Sequence, residues 1–297
     1  MKFINICPLC GSDVALSKVT SYTSPFFSNY VLEKEPFPIK FMHCLSCHFM
    51  FFDARPEDSE MAALYNDYRG SKYCAARKQY EGDAPEESVN QDEIDGLRRA
   101  HLDNQLATIK WECAPQASVL DHGGDRGQFF GHTFRETKKF VYEISGLDPI
   151  PGVEAIKTEA VLKTKSFDFI MSCHVIEHVS DPVEYVSMIK SLGHKDTLFY
   201  FETPYQCPSN IVYYILKVAK WMSRLVKRKH IGQSSSRIGQ LLDSIIMRPW
   251  LHEHINFYSP TAIDALMRKA GLRVISISVD RVVPGKLGTW ICCFAKW

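Results

Sequence analysis

Val119-Leu120-Asp121-His122-Gly123-Gly124-Asp125-Arg126-Gly127-Gln128-Phe129 (VLDHGGDRGQF) is the stretch on which the fold turns. A short apolar run ends in a carboxylate, and a glycine-rich turn follows at once. Gly123 and Gly127 permit tight turning and let a ligand approach the backbone closely. A strand that passes into a helix in this way sits at the carboxyl edge of a parallel sheet, where open α/β folds bind ligands. The pattern predicts a strand over Ser118–Asp121 and a helix from the turn through Thr137. About twenty residues on, Glu143 ends a second predicted strand, Phe140–Ile144. A carboxylate there can accept both ribose hydroxyls of a bound nucleoside, and Asp121 can meet an ammonium group. The strict dinucleotide fingerprint G-x-G-x-x-G is absent, and a nucleotide-sugar or NAD-binding enzyme is the rival reading.

Working outward, apolar residues Ile94, Leu97, Leu102, Leu106 and Ile109 fall at helical spacing and predict a helix from near Gln91 to Trp111, ended by Pro115. Val153–Ile156 reads as a third strand and Phe167–Cys173 (FDFIMSC) as a fourth, continuous and apolar enough to be buried on both faces. Asp181 caps a helix that starts at Pro182 and runs through Leu192. Thr197–Phe201 is the next strand, Ser259-Pro260 opens a helix that Gly271 closes, and Arg273–Val279 and Thr289–Lys296 form a final strand pair. Alternating β and α units predict an α/β, Rossmann-like fold over residues 91–297: a mainly parallel seven-stranded sheet with helices on both faces.

The N-terminus carries different chemistry. Cys7-Pro8-Leu9-Cys10 and Cys44-Leu45-Ser46-Cys47 are two C-x-x-C turns, each able to aim two thiolates at one ion. Together they make a closed tetrahedral S4 set, so residues 1–52 read as a small zinc ribbon with a structural metal on Cys7, Cys10, Cys44 and Cys47. A disulfide framework and a redox C-x-x-C are the alternatives, disfavoured by the absence of an export signal and of a βαβ pattern around either pair. Cys74, Cys113, Cys173, Cys207, Cys292 and Cys293 are scattered and read as small core hydrophobes.

The glycine turn resembles the first motif, approximately D-x-G-x-G-x-G, of the class I S-adenosylmethionine-dependent methyltransferases, with Asp125 at the family's middle glycine. Glu143 matches the acid after strand two. Phe167–Pro182, containing His174 and Glu177-His178-Val179-Ser180-Asp181-Pro182, resembles the family's fourth strand and its E-H-V-x-D-P stretch. Leu251–Pro260, containing His252-Glu253-His254, resembles the H-E-H-x-x-F/Y-S stretch before the penultimate helix. The resemblance implies a methyltransferase whose cofactor, S-adenosylmethionine, is held by Asp121, Gly123, Gly124, Gly127, Glu143 and His174. Methyl transfer to oxygen or an enolisable carbon needs a base, and the candidates are His254 with Glu253, and His178. Each histidine is open to a capping or core role as well. A two-knuckle zinc module joined to such a domain is similar to the sugar C-methyltransferases. In that family a tyrosine precedes the glutamate of the H-E-H stretch by two residues; here the position is Leu251. The implied reaction is O- or C-methylation of a sugar, nucleotide sugar or glycan precursor. Its rivals are another small-molecule or lipid-linked acceptor, and a non-catalytic protein that only binds zinc and cofactor.

Charge sharpens the partner classes. Formal net charge is +1, which argues against a global polyanion binder, and no nucleic-acid partner is expected. Apolar residues at 45% and charged residues at 23% fit a folded chain with a real core. Residues 53–95 hold 12 Asp/Glu against 5 Lys/Arg, and residues 53–90 read as an acidic helical connector or a substrate-facing cap, with Tyr65, Tyr68, Tyr73 and Tyr80 interleaved with Arg69, Lys72, Arg77 and Lys78. Thr203–Leu242 has no acid and seven basic residues, so a basic helical insertion is predicted at 204–249. Residues 211–229 put apolar and basic groups on opposite helical faces, which suits docking on the core, peripheral membrane contact or a diphosphate. No secretory or membrane-spanning stretch is evident, and a cytoplasmic chain is expected.

Overall fold

The computed structural model describes residues 1–13, 16–65, 70–81, 91–206, 251–281 and 289–297. The N-terminal part contributes β1 (Lys2–Phe3), β2 (Leu16–Tyr22), β3 (Pro38–Cys44), β4 (Met50–Phe52) and β5 (Ala54–Arg55). Helices α1 (Asp58–Tyr65), α2 (Ser71–Glu81) and α3 (Gln91–Thr108) follow. Then come β6 (Ser118–His122), β7 (Lys138–Tyr142), β8 (Val153–Ala155), α4 (Glu159–Leu162), β9 (Phe167–Cys173), α5 (Pro182–Ser191) and β10 (Gly193–Pro204). The last third adds β11 (Asn256–Phe257), α6 (Pro260–Lys269), β12 (Arg273–Asp280) and β13 (Trp290–Lys296). Nearly all of the basic insertion expected at 204–249, its 211–229 helix, Cys207, and Tyr68 and Arg69 of the connector lie outside the described residues.

Seven strands form the main sheet in the order β12-β13-β10-β9-β6-β7-β8. β10, β9, β6, β7 and β8 are mutually parallel, while β13 runs antiparallel to both β10 and β12. The expected Rossmann-like sheet is therefore present. β9 is buried along most of its length, as its continuous apolar run requires. α5 starts where local chemistry dictates: Asp181 accepts from the amides of Val183 and Glu184, and Pro182 occupies the first turn. α6 repeats the device with Ser259 and Pro260, and Gly271 follows it at φ +77°.

The structure corrects three sequence expectations. The helix predicted from the glycine turn through Thr137 is absent; only a 3-10 turn forms, at His132–Phe134. Gly124, Gly127 and Gly131 crowd this stretch, and a Cβ on any of them would collide with Asp121, Val153 or Asp103. The second strand is Lys138–Tyr142 rather than Phe140–Ile144, which leaves Glu143 just beyond its end. The helix expected to reach Trp111 stops at Thr108, with Lys110 at φ +53°.

The N-terminal part does not stand apart. Its four-stranded sheet has the order β11-β4-β3-β2, and β11 comes from the last third of the chain. One apolar core runs from Cys7, Met42 and Phe49 into Ile176, Tyr258 and Ile263 of the larger domain. Arg55, fully buried, joins the two by donating to the carbonyls of Val179, Ser180 and Ile255 and to Asn256 Oδ1. Burial pulls its pKa down to about 10. No helix among the described residues is long and apolar enough to cross a membrane.

Candidate active site

A cavity of about 1200 Å³ opens along the carboxyl edge of the main sheet. His122, Gly123, Asp125, Gln128 and Glu143 line one part of it, Arg98, Phe129, His174 and Trp290 another, and Glu177, His178, Glu253 and His254 a third. Residues of the N-terminal part, including Lys2, Glu57 and Ser59, close it from the other side.

The glycine turn is a cradle with no room for side chains. Gly123 has φ +73°, and a Cβ there would lie 2.5 Å from Val175 Cγ2. A Cβ on Gly124 would lie 2.1 Å from Asp121 Cγ. Asp125, at the family's middle-glycine position, adopts φ +58°, a left-handed conformation that Asp tolerates better than most residues. Its amide donates to Glu143 Oε2 at 3.1 Å, and Ser145 donates its amide to Glu143 Oε1 at 3.0 Å, so the turn and the second strand are tied through this carboxylate.

Asp121 is fully buried beneath Gly124 and does not itself line the cavity. Neither of its carboxylate oxygens has a hydrogen-bond partner among the described residues. Burial drives its pKa up to about 8, against the pull of Arg98 and with the repulsion of Glu143, Glu202 and Asp125. Next to it, His122 receives Tyr185 through Nδ1 at 2.9 Å, and burial lowers the imidazole to about 4.

A chain of alternating charge runs along the cavity. Arg98 lies between Phe129 and Trp290, 3.7 and 4.9 Å from their ring centroids, and reaches Glu202 at 2.8 Å. Glu202 meets His174 at 3.0 Å, His174 meets Glu177 at 3.4 Å, and Glu177 meets His178 at 3.9 Å. Burial disfavours charge on Arg98, Glu202, His174 and Glu177. The pairing outweighs it: Glu177 and Glu202 are held down at about 2, and His174 is raised by its two carboxylates. His174 itself sits at φ +58°.

The H-E-H segment is docked by its own backbone. Ile255 and Asn256 donate their amides to the Glu177 carbonyl, and the Asn256 side chain donates to Ile176 and Val179. This brings His254 against His178, with ring centroids 4.7 Å apart. His178 donates through Nδ1 to the Glu253 carbonyl at 3.0 Å, and His254 donates through Nδ1 to Gln206 Oε1 at 2.7 Å. Burial first, then the neighbouring His178, lowers His254 to about 4 against the pull of Glu177 and Glu253, so the ring is neutral near pH 7. Its Nε2 lone pair is left for another proton.

The expected pairing of Glu253 with His254 takes a different form. The Glu253 carboxylate accepts from the Tyr73 hydroxyl and from Arg77 at 2.9 Å, both on α2, and lies 3.7 Å from His252. Phe26 stacks on His252 and meets Tyr73 edge-on, which braces the group from below. Leu251 is buried in the same cluster, so the hydroxyl near Glu253 comes from α2 rather than from the H-E-H segment. Tyr73 and Arg77 belong to the segment read as a connector or substrate-facing cap, whereas sequence reasoning missed Arg98, Glu202 and Gln206 as parts of this site. They lie in other segments and form no local motif.

At the N-terminal end the four cysteines of the two C-x-x-C turns converge, with all four sulfurs within 4.8 Å of one another. Cys7 and Cys47 are 3.6 Å apart and Cys10 and Cys44 3.5 Å, close to the edge of about 3.8 Å set by a tetrahedron with metal–sulfur bonds of about 2.3 Å.

A family model described as a methyltransferase domain matches residues 65–277. No curated protein matches the chain. Among solved structures, it is similar to the 1,6-didemethyltoxoflavin N1-methyltransferase of Burkholderia thailandensis, which holds 1,6-didemethyltoxoflavin and S-adenosylhomocysteine: 12% identity, 86% of this chain and 97% of that one, TM-score 0.46. It is also similar to the magnesium protoporphyrin IX methyltransferase of Synechocystis PCC 6803, with S-adenosylhomocysteine bound: 12% identity, 78% and 96% coverage, TM-score 0.42. A third is an S-adenosylmethionine-dependent methyltransferase of Clostridium acetobutylicum: 11% identity, 76% and 97% coverage, TM-score 0.40.

Proposed function

The chain belongs to the methyltransferase-domain family, and from that premise we propose that it takes a methyl group from S-adenosylmethionine and delivers it to an oxygen or enolisable carbon of a sugar, nucleotide sugar or glycan precursor, with His254 as the base. The observation that carries this reading is the cavity itself: a side-chain-free glycine cradle at one part and a neutral, hydrogen-bond-oriented imidazole at another.

The cradle fits the cofactor. Gly123 lines the cavity, Gly124 and Gly127 are buried behind it with no room for a Cβ, Glu143 stands where ribose hydroxyls would be accepted, and Asp121 is buried with no hydrogen-bond partner among the described residues. Arg98 and His174 complete the surroundings. When bound, S-adenosylmethionine supplies an activated methyl group and its own leaving group. The chain's part is to position the acceptor and remove its proton. His254 Nε2 takes the acceptor's O–H or acidic C–H proton, while Gln206 holds the ring in that tautomer. His178, fixed by the Glu253 carbonyl, orients the acceptor beside it. Tyr73 and Arg77 keep Glu253 in place and ionised. Lys2, Glu57, Ser59 and Ser180 give the cavity wall the polar character that a polyhydroxy acceptor matches.

The proposal extends to the metal. Cys7, Cys10, Cys44 and Cys47 hold one structural zinc, residues 1–52 are the zinc module, residues 53–90 the cap, and residues 91–297 the methyltransferase domain. Zinc content after purification without chelator should be at least about one per chain; below about 0.3 the zinc assignment fails.

The test of function has two stages. Calorimetry with S-adenosylhomocysteine measures the cradle alone. Turnover of S-adenosylmethionine against a panel of nucleotide sugars and glycan precursors, with product linkage analysis, measures the acceptor. Cofactor binding with no turnover on any acceptor would favour the non-catalytic reading. Turnover confined to acceptors without sugar would overturn the acceptor class.

A further inference from the structure

Outside the residues that line the cavity, three chemically dissimilar ligands converge from three elements. His101 lies on α3, Asp280 ends β12, and Cys292 lies within β13. The Cys292 sulfur is 3.5 Å from His101 Nε2, which is 3.8 Å from Asp280 Oδ2. All three ligand atoms lie within 4.8 Å of one another. A tetrahedral zinc ion with bonds of about 2.3 Å to sulfur and about 2.0 Å to nitrogen sets a sulfur–nitrogen edge of about 3.5 Å. The carboxylate is already oriented: Gln105 Nε2 donates to Asp280 Oδ2 at 3.0 Å, and Ser278 donates to the same oxygen. Such outer contacts are the usual means of aiming a metal-ligating carboxylate. The sulfur is buried and the carboxylate half-buried, so the set has a protected end and a solvent-facing end.

We propose that His101, Asp280 and Cys292 form a second metal site, for a zinc-class divalent cation, that clamps α3 onto the β12–β13 edge of the main sheet. Sulfur plus imidazole plus carboxylate is a donor set for zinc and its neighbours and not for calcium or magnesium, which take oxygen ligands. Three protein ligands leave a fourth position for water. On binding, the Cys292 thiol gives up its proton to solvent and the sulfur bonds to the ion as thiolate. The clamp sits one helical turn from Arg98, and Cys292 is two residues from Trp290 on the same strand face, so it fixes two groups that stack on each other in one wall of the cavity. This proposal rests on the geometry of these three residues and not on the identity of the acceptor.

The test counts metal on the full chain. Metal-free wild type is titrated with Co2+, read by the thiolate-to-cobalt charge-transfer band in the near ultraviolet, beside Cys292→Ser and Asp280→Asn. Cys292→Ser should bind about one ion fewer than wild type, whatever the four-cysteine cluster holds, and Asp280→Asn should weaken the same ion at least 10-fold. Circular dichroism of each variant checks that it is folded. Hydrogen exchange over residues 91–108 supplies the second readout: Zn2+ beyond one equivalent should slow it several-fold in wild type and leave it unchanged in Cys292→Ser. Equal ion counts in wild type and folded Cys292→Ser, or exchange that zinc does not slow, would overturn the site. Failure of zinc at the four-cysteine cluster would lower both counts together and leave their difference intact.

Discussion

Asp121 is buried with no hydrogen-bond partner among the described residues, and its pKa of about 8 makes it a liability that a cationic ligand would relieve. The sign follows from linkage. Between the ordinary carboxylate range and pH 8 the folded chain holds a proton that the unfolded chain has lost, so stability falls as pH rises through that window. Asp121→Asn removes this term, with Arg98, Glu143, Glu202 and Asp125 still facing the site. It should raise the melting temperature of cofactor-free protein at pH 8, by on the order of a few kcal/mol in stability, and weaken S-adenosylhomocysteine binding more than 10-fold by calorimetry. His254 gives a second measurement at this scale. His254→Gln should lower kcat by about 10²–10⁴ with S-adenosylhomocysteine affinity nearly unchanged. The ring faces His178, His174, Glu177 and Glu253, and its pKa is about 4. The acid limb of the wild-type kcat/KM profile should therefore lie well below the usual histidine range. Glu143, His178 and His254, which line the cavity, were legible because each sits in or beside a short motif. Arg98 was not: an arginine on a helix with an apolar stripe looks like a solvated one until Phe129 and Trp290 close around it.

At the scale of elements, what could be read depended on whether the determinants were local. α5 and α6 announce themselves through Asp181-Pro182 and Ser259-Pro260, and both begin where those pairs place them. The stretch after the glycine turn obeys tertiary contacts instead. Gly131 packs on the Asp103 carboxylate, which accepts from the amides of His132 and Thr133, so α3 pins this segment and a regular helix does not form. No window on the sequence around residue 131 contains that information, because Asp103 is on another element. Gly124→Ala tests how tightly the cradle is built. Its methyl group would run into the Asp121 carboxylate, so we expect a loss of ~1–3 kcal/mol in stability and a drop in S-adenosylhomocysteine affinity, measured by denaturant melts and calorimetry on one preparation.

For the molecule as a whole, the sequence suggested a ribbon, a connector or cap, and a large α/β domain in series, and the structure interlocks the N-terminal part with the rest. Arg55 is the clearest case: a buried guanidinium from the N-terminal part satisfies carbonyls of the loop after β9 and of the H-E-H segment. Arg55→Ala would leave those acceptors unpaired in the interior. It should cost on the order of 3 kcal/mol and lower kcat by loosening His178 and His254, while Arg55→Lys recovers only part of either. The four-stranded sheet has a further consequence, in the order of synthesis. β2, β3 and β4 leave the ribosome well before their partner: the strand that covers β4 is Asn256–Phe257, made some two hundred residues later. Throughout that interval β4 presents an unpaired edge, the kind of surface on which chains join one another. The nascent chain is therefore most exposed to aggregation while its C-terminal third is still being translated, and any fragment that stops short of β11 keeps that exposure permanently.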